Sequence, residues 1–426
     1  MSNRSYNKIR KKTCASANCL AAPKQRIALL QGPVGPFFCR LKAKLERNNF
    51  DVWRISFNVG DALFSRRKQR VNFRGNIEDW RNWFSEFVSN KQLDYIILFG
   101  AERQIHRIAR EVATSTDVLV ISLEEGYIRP GYVTVELDGN NATSPLAGKL
   151  PPEDFTPKND TALTPVDFNG LRKMFFYAGV YYFVRTLLTF GKRRKLFHRP
   201  ISLHYEAFYW IRNFFRWITS RIQNSTAIQN LVEHFCEKYY LVPLQVAADG
   251  QMQFNALGWN VEKLVIQSIN SFANSAPTCC RLVFKLHPME RGHSNCKTLI
   301  SRVAADLGIS NRVDVLETGS LSLLTRHAAG MITINSTSGL SAIYHGTPLM
   351  VIGNAIYASD ELAWCAHGDP KFDLFWKRSF AAPNALREKY LLWIKEKALI
   401  QGDFYSASGI EAACDNFVAR FKCAEF

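Results

Sequence analysis

Three short clusters along this chain combine residue types that can do chemistry, and each comes directly after an apolar run. Glu124-Glu125-Gly126 follows Val118–Leu123. A carboxylate there can serve as a nucleophile or a general base, and glycine lets the backbone turn sharply behind it. Successive side chains at a strand end point to opposite sides, so one of the two acids faces a ligand while backbone or a cation holds the other. His287-Pro288 follows Leu282–Leu286, with Lys285 two residues before the histidine and Arg291 four after it. Cations at that place suit a phosphate that leaves carrying negative charge. Asn335-Ser336-Thr337-Ser338-Gly339 follows Met331–Ile334 and opens a helical stretch, so hydroxyls and backbone N–H groups can gather an anion. Plainer roles fit each cluster as well: an acid stabilised by a helix dipole, a histidine satisfied in a turn, and an ordinary N-cap.

The elements that must position these residues are those of an α/β chain. Arg26–Gln31 reads as a buried strand that runs into the turn Gly32-Pro33-Val34-Gly35-Pro36 and a helix over Phe38–Asn48. Tyr95–Phe99 and Val118–Leu123 are further strands, separated by a helix over Glu102–Ala113. Short, wholly apolar strands alternating with helices predict a parallel sheet covered on both faces. A second series has strands at Leu282–Leu286, Val313–Leu316, Met331–Ile334 and Leu349–Ile352, with helices near 294–308 and 338–345. The expected fold is two Rossmann-like, doubly wound domains facing a cleft, with all three clusters at strand carboxyl ends. The expected boundaries are a basic tail over 1–25, a first domain over 26–166, an insert over 167–232, a second domain over 233–384 and C-terminal helices over 385–426, with Pro157–Pro165 a linker.

The net charge of +17 is concentrated in two places. Residues 1–26 hold seven basic residues and no acid, and 168–232 holds eleven basic residues and one acid, Glu206. The remaining chain is electrically balanced, which excludes a general nucleic-acid binder, whose basic face runs through the folded domain itself. The insert also carries fifteen aromatics between Phe175 and Trp217. Its longest apolar run, Met174–Val184, is eleven residues, well short of the roughly 20 that span a bilayer. Arg172, Lys173, Lys192, Arg193, Arg194 and Lys195 flank that run, and a second helical stretch, Tyr205–Arg221, mixes Phe, Trp and Tyr with Arg212 and Arg216. Aromatics and cations on one helix lie flat at a lipid headgroup boundary, although a helical hairpin packed on the domain with snorkelling arginines has the same composition. The start of the chain lacks the apolar segment of a signal peptide, so the reading is cytoplasmic and peripheral to a membrane.

Absences narrow the chemistry. No two aspartates stand two apart to carry a metal for a sugar diphosphate, and there is no G-x-x-x-x-G-K-[ST] for ATP. Ten cysteines, without any C-x-x-C, indicate neither a zinc ribbon nor a disulfide scaffold. A monophosphate-type leaving group that needs neither metal nor cofactor fits this set.

The motifs resemble those of the capsule polysaccharide biosynthesis and export family, in particular its KpsS-like members. In the first half these are Gln31-Gly32-Pro33 with Phe37-Phe38, then Phe99-Gly100 with Arg103 and His106. Glu124-Glu125-Gly126-Tyr127-Ile128-Arg129-Pro130 follows, with Thr134 and Glu136 after it. The second half adds Pro243-Leu244-Gln245, Lys285-Leu286-His287-Pro288, Asn335 to Ala342, and Gly353 to Tyr357. The resemblance implies a two-Rossmann-domain (GT-B) β-Kdo transferase of the CMP-sugar group, with CMP-Kdo as donor substrate and an anionic phosphatidylglycerol- or lysophosphatidylglycerol-type lipid as acceptor. Other capsule assembly and export proteins are implied partners. Glu125, with Glu124 beside it, then falls in the catalytic place. Lys285, His287, Pro288, Asn335, Ser336, Thr337 and Ser338 fall at the donor. Arg129 is the candidate for the sugar carboxylate, and Gln31 and Gly32 for the cleft. Two alternatives keep the same residues: an inverting CMP-sialic-acid transferase with Glu125 as general base, and a non-catalytic assembly factor that only binds glycolipid.

Overall fold

The computed structural model describes residues 24–65, 68–157, 166–188, 224–246, 250–287 and 295–423. Two compact α/β units divide the chain. The first contains residues up to 146, with 154–203 and 392–426, and the second contains 147–153 and 204–391.

In the first unit, strands β1 (Arg26–Leu29), β2 (Asp51–Ser56), β3 (Arg70–Asn72), β4 (Tyr95–Phe99) and β5 (Leu119–Glu125) are parallel. Their spatial order is β5-β4-β1-β2-β3. This is the Rossmann order, in which the chain changes direction of travel across the sheet between β1 and β4, and ligands sit outside the strand carboxyl ends at that switch point. The apolar runs produce the sheet because both faces are covered. Ile27, Leu29, Tyr95, Ile97, Leu119, Ile121 and Leu123 pack into one core with Phe404 and Phe417. The alternate residues Ala28, Leu30, Ile96, Leu98 and Val120 pack into another with Trp80 and Phe84.

The sheet departs from the purely parallel one expected. Strand β6 (Tyr132–Leu137) pairs antiparallel with β5, and a three-residue strand from the end of the chain, Leu399–Gln401, pairs antiparallel with β6. Residues 385–426 are therefore not helices alone: between helices Asn384–Ala398 and Ala407–Cys423 they return a strand to the first sheet. Glu124 and Glu125 likewise lie inside β5 rather than after it, because Thr134 and Val133 of β6 pair with them and prolong the strand beyond its apolar core.

In the second unit, β7 (Tyr239–Pro243), β8 (Arg281–Lys285), β9 (Val313–Leu316), β10 (Gly330–Thr333), β11 (Leu349–Val351) and β12 (Trp364–Cys365) form a wholly parallel sheet. The order β12-β11-β10-β7-β8-β9 repeats the Rossmann pattern, with the switch point between β7 and β10. The fold is thus α/β with two Rossmann-like units, as expected.

Of the expected insert, only its two ends are described. Helix Leu171–Leu188 belongs to the first unit and a helical stretch over 224–234 to the second. Lys192, Arg193, Arg194, Lys195, Arg212 and Arg216 lie outside the described residues, as do most of the basic tail, Pro288 and Arg291.

Candidate functional site

At the end of β5 the two acids separate as the pleat dictates. Glu125 shares a face with Leu123 and Ile121 and meets the segment before the last helix, where Tyr405 Oη donates to Glu125 Oε1 at 2.9 Å. Burial and the facing Glu125 charge hold the Tyr405 phenol well above its ordinary pKa, so it stays a donor. Its backbone N–H is in turn fixed on Asp403 Oδ1 at 2.6 Å. Glu124 turns the other way: its Oε1 accepts from the Glu125 N–H at 3.3 Å, and its Oε2 borders Gly100 at the end of β4. Gly126 is required because any side chain there would collide with the Tyr132 carbonyl oxygen. Arg129, the candidate for a sugar carboxylate, is exposed and donates from Nε to Gly126 O at 2.9 Å, which ties the turn.

Behind this turn lies a buried support. Tyr127 Oη donates to Glu136 Oε2 at 2.5 Å, and Ser144 Oγ donates to Glu136 Oε1. Burial pushes the Glu136 carboxyl up to about 7 from 4.5. The folded chain therefore holds this proton longer than the unfolded chain does. The stability contribution is complete below pH 4.5 and falls as pH rises toward 7. Between pH 5 and pH 8 this single group removes on the order of 3 kcal/mol at about 1.4 kcal/mol per unit. Urea unfolding of Glu136→Gln should lose most of that pH dependence, and a slope equal to wild type would contradict this account of Glu136.

A second assembly occupies the first unit's switch point. Arg103, just past β4, donates from Nη1 to Gln31 Oε1 at 3.0 Å and to Gly32 O at 3.5 Å, with its guanidinium 5.1 Å from the Phe99 ring centroid. Gln31 and Gly32 follow β1, so the contact bridges the two strands between which the sheet order reverses. Gln31 Nε2 is held by Asp61 at 3.3 Å and by Tyr181 Oη at 3.2 Å, and Tyr181 Oη also donates to Asp61 Oδ1 at 3.0 Å. Tyr181 lies on helix Leu171–Leu188, so the first helix of the insert is bolted to the strand ends.

The second unit carries the counterpart. Gln245, two residues past β7 just as Gln31 is two past β1, donates from Nε2 to Asn335 Oδ1 at 2.9 Å across the switch point to the end of β10. Asn335 is completely buried and also donates to Gln251 O at 2.9 Å. After it, Ser336 Oγ accepts from the Ser338 N–H and hydroxyl, and Tyr357 Oη donates to Ser336 O at 2.5 Å. The expected cradle of free N–H groups needs correction. The following helix, Gly339–His345, is only seven residues long, and the N–H groups of Ser338, Gly339, Leu340 and Ser341 all bond within the turn. What the turn presents is side chains, with Thr337 half-buried. Lys285 ends β8, nearly buried, with Nζ donating to Leu286 O at 3.1 Å, and half-buried His287 follows two residues later.

The described candidate residues, Glu124 and Glu125 in the first unit and Lys285, His287 and Asn335 to Ser338 in the second, thus stand at or just past strand carboxyl ends. Sequence reasoning missed Tyr405, Asp61, Tyr181 and Gln251, and assigned no role to Arg103. The one available signal was a glutamine two residues past the first strand of each half.

Residues 94–405 match the family described as capsule polysaccharide biosynthesis protein. The chain is 30% identical over 384 residues to the capsule polysaccharide export protein KpsS of Escherichia coli, covering 89% of this chain and 97% of that one. It is 30% identical over 397 residues to the capsule polysaccharide modification protein LipB of Neisseria meningitidis serogroup B, covering 90% and 92%. Among solved structures, the Thermosulfurimonas dismutans KpsC beta Kdo 2,7 transferase aligns with a TM-score of 0.46 at 13% identity, over 93% of this chain and 99% of that one. With a family match that runs from the start of β4 through the second unit to Tyr405, and with relatives 30% identical over nine-tenths of its length, this chain belongs to the capsule polysaccharide biosynthesis protein family.

Proposed function

We propose that this protein is a glycosyltransferase of capsule biosynthesis that transfers Kdo from CMP-Kdo to a phosphatidylglycerol- or lysophosphatidylglycerol-type lipid, with a β-linked product. The observation that carries the reading is Glu125, a carboxylate fixed by the half-buried phenol of Tyr405 at the carboxyl end of β5. In this reading Glu125 attacks the anomeric carbon, the bond to the CMP phosphate breaks, and CMP leaves with the electron pair. The lipid hydroxyl then displaces Glu125 from the same face and gives up its proton, so configuration is retained. Lys285, His287, Ser336 and Thr337 stabilise the departing phosphate through charge-assisted hydrogen bonds, while Asn335 and Ser338 hold the turn that presents them. The reaction needs no metal or cofactor. The test is release of CMP from CMP-Kdo that depends on the lipid; release of none with any acceptor would favour an assembly factor that only binds glycolipid.

The same proposal places the enzyme at a membrane surface. No helix among the described residues is long and apolar enough to cross a membrane. Helix Leu171–Leu188 buries Tyr181 and Arg185 against its unit, yet Leu171, Phe175, Phe176, Phe183 and Leu188 are all more than half exposed, next to exposed Arg172 and Lys173. Apolar rings beside cations, with no acid in the helix, fit the headgroup boundary of an anionic bilayer. Flotation with phosphatidylglycerol vesicles should fall several-fold on replacing Phe175, Phe176 and Phe183 together by serine, and should weaken in high salt. Undiminished flotation would leave this helix with a structural role only.

A further inference from the structure

We infer that Arg103 binds the anionic group carried by the transferred sugar itself, separately from the phosphate; the inference rests on the donor reading above. Arg103 stands at the switch point of the first unit, where an open α/β sheet receives its ligand. Among the described residues it has no ion-pair partner, although it is half-buried. A half-buried guanidinium with no described carboxylate at ion-pair distance is stabilised when a ligand supplies an anion in direct contact.

Its surroundings hold it for that purpose. Gln31 Oε1 and Gly32 O accept from Nη1, the Phe99 ring lies beneath, and Asp61 and Tyr181 fix the Gln31 amide so that its oxygen faces the arginine. Beside it Gly100, with φ +77°, has no side chain to crowd the arginine. The position that a side-chain carbon would occupy there lies 3.2 Å from Arg103 Nε and 3.5 Å from Glu124 Oε2. The cation therefore sits one strand away from Glu124 of β5, whereas the residues proposed for the phosphate belong to the second unit. A planar carboxylate adjoining the anomeric carbon matches the fork geometry of a guanidinium. Arg129 is less suited, being exposed and engaged with its own turn.

The test measures binding of CMP-Kdo, CMP-sialic acid and free CMP to the full chain and to Arg103→Met and Arg103→Lys. The methionine variant should bind the preferred acid-sugar nucleotide roughly 30-fold more weakly, and the lysine variant roughly 10-fold, from loss of a charge-assisted bidentate pair. Binding of CMP, which lacks the sugar carboxylate, should be unchanged in both. Equal affinity of wild type and Arg103→Met for the acid-sugar nucleotide would overturn this inference alone. Parallel loss of CMP binding in both variants would also overturn it, since that marks a structural role. Wild type binding neither sugar nucleotide would overturn the donor reading and this inference with it.

Discussion

Glu125→Gln should lower transfer by at least about 10³-fold, the scale of nucleophile removal in covalent catalysis, while leaving the fold intact. The amide is isosteric, and its Oε1 can still accept the Tyr405 hydroxyl that fixes the carboxylate at 2.9 Å. What it loses is the negative charge and with it the ability to form a glycosyl ester. The antiparallel pairing of Glu125 with Val133 involves backbone only and is untouched. The measurement is CMP release under saturating donor, with thermal unfolding in parallel. Turnover within threefold of wild type, a margin far inside the roughly 10³-fold expectation, would remove Glu125 from both the nucleophile and the general-base roles. Glu125→Asp keeps the charge but withdraws it by about 1.5 Å on standard bond lengths. That displacement is large where attack needs the reacting atoms roughly 3–3.5 Å apart.

Asn335→Ala has the second large effect, on stability. Asn335 is completely buried and crosses the second unit's switch point, accepting from Gln245 Nε2 and donating to Gln251 O, while its own N–H bonds Gln245 Oε1 at 3.2 Å. Truncation removes the acceptor of the half-buried Gln245 amide and a donor to the carbonyl of half-buried Gln251, and each lost partner costs about 1–3 kcal/mol where water cannot replace it. The expected loss is about 2–5 kcal/mol by urea unfolding, with donor binding weakened as the Ser336–Ser338 turn loses its anchor. Ser338→Ala, whose hydroxyl bonds only within the half-buried turn, should cost less than about 1 kcal/mol. Near-equal effects of the two substitutions would contradict the idea that the Asn335–Gln245 amide pair sets the geometry of this loop.

The parts of the fold legible from sequence were those in which packing alone dictates the element. Tyr95–Phe99 is buried on both faces, and its limits follow from its apolar residues. Strand Asp51–Ser56 escaped because Asp51, Arg54 and Ser56 break its apolar run, although Arg54 and Ser56 are buried in the fold. The strand over Leu399–Gln401 has only three residues and exists through pairing with β6, a partner about 265 positions away. The same long-range pairing explains why Glu124 and Glu125 read as a strand terminus and proved to be strand residues. Their chemistry was visible from type and spacing; the partner that fixes Glu125 was not, since Tyr405 lies 280 residues on with nothing local to mark it. Arg103 was equally mute: one arginine in a turn acquires meaning only when β1 and β4 become neighbours.

Transfer of an acid sugar from a CMP donor to a lipid, the proposed reaction, is tested by mass spectrometry of the lipid after incubation with CMP-Kdo. The expected result is a lysophosphatidylglycerol product heavier by one Kdo residue, β-linked, formed in step with CMP release by wild type and absent with Glu125→Gln. Unaltered lipid after prolonged incubation with wild-type protein and both acceptor lipids would contradict it.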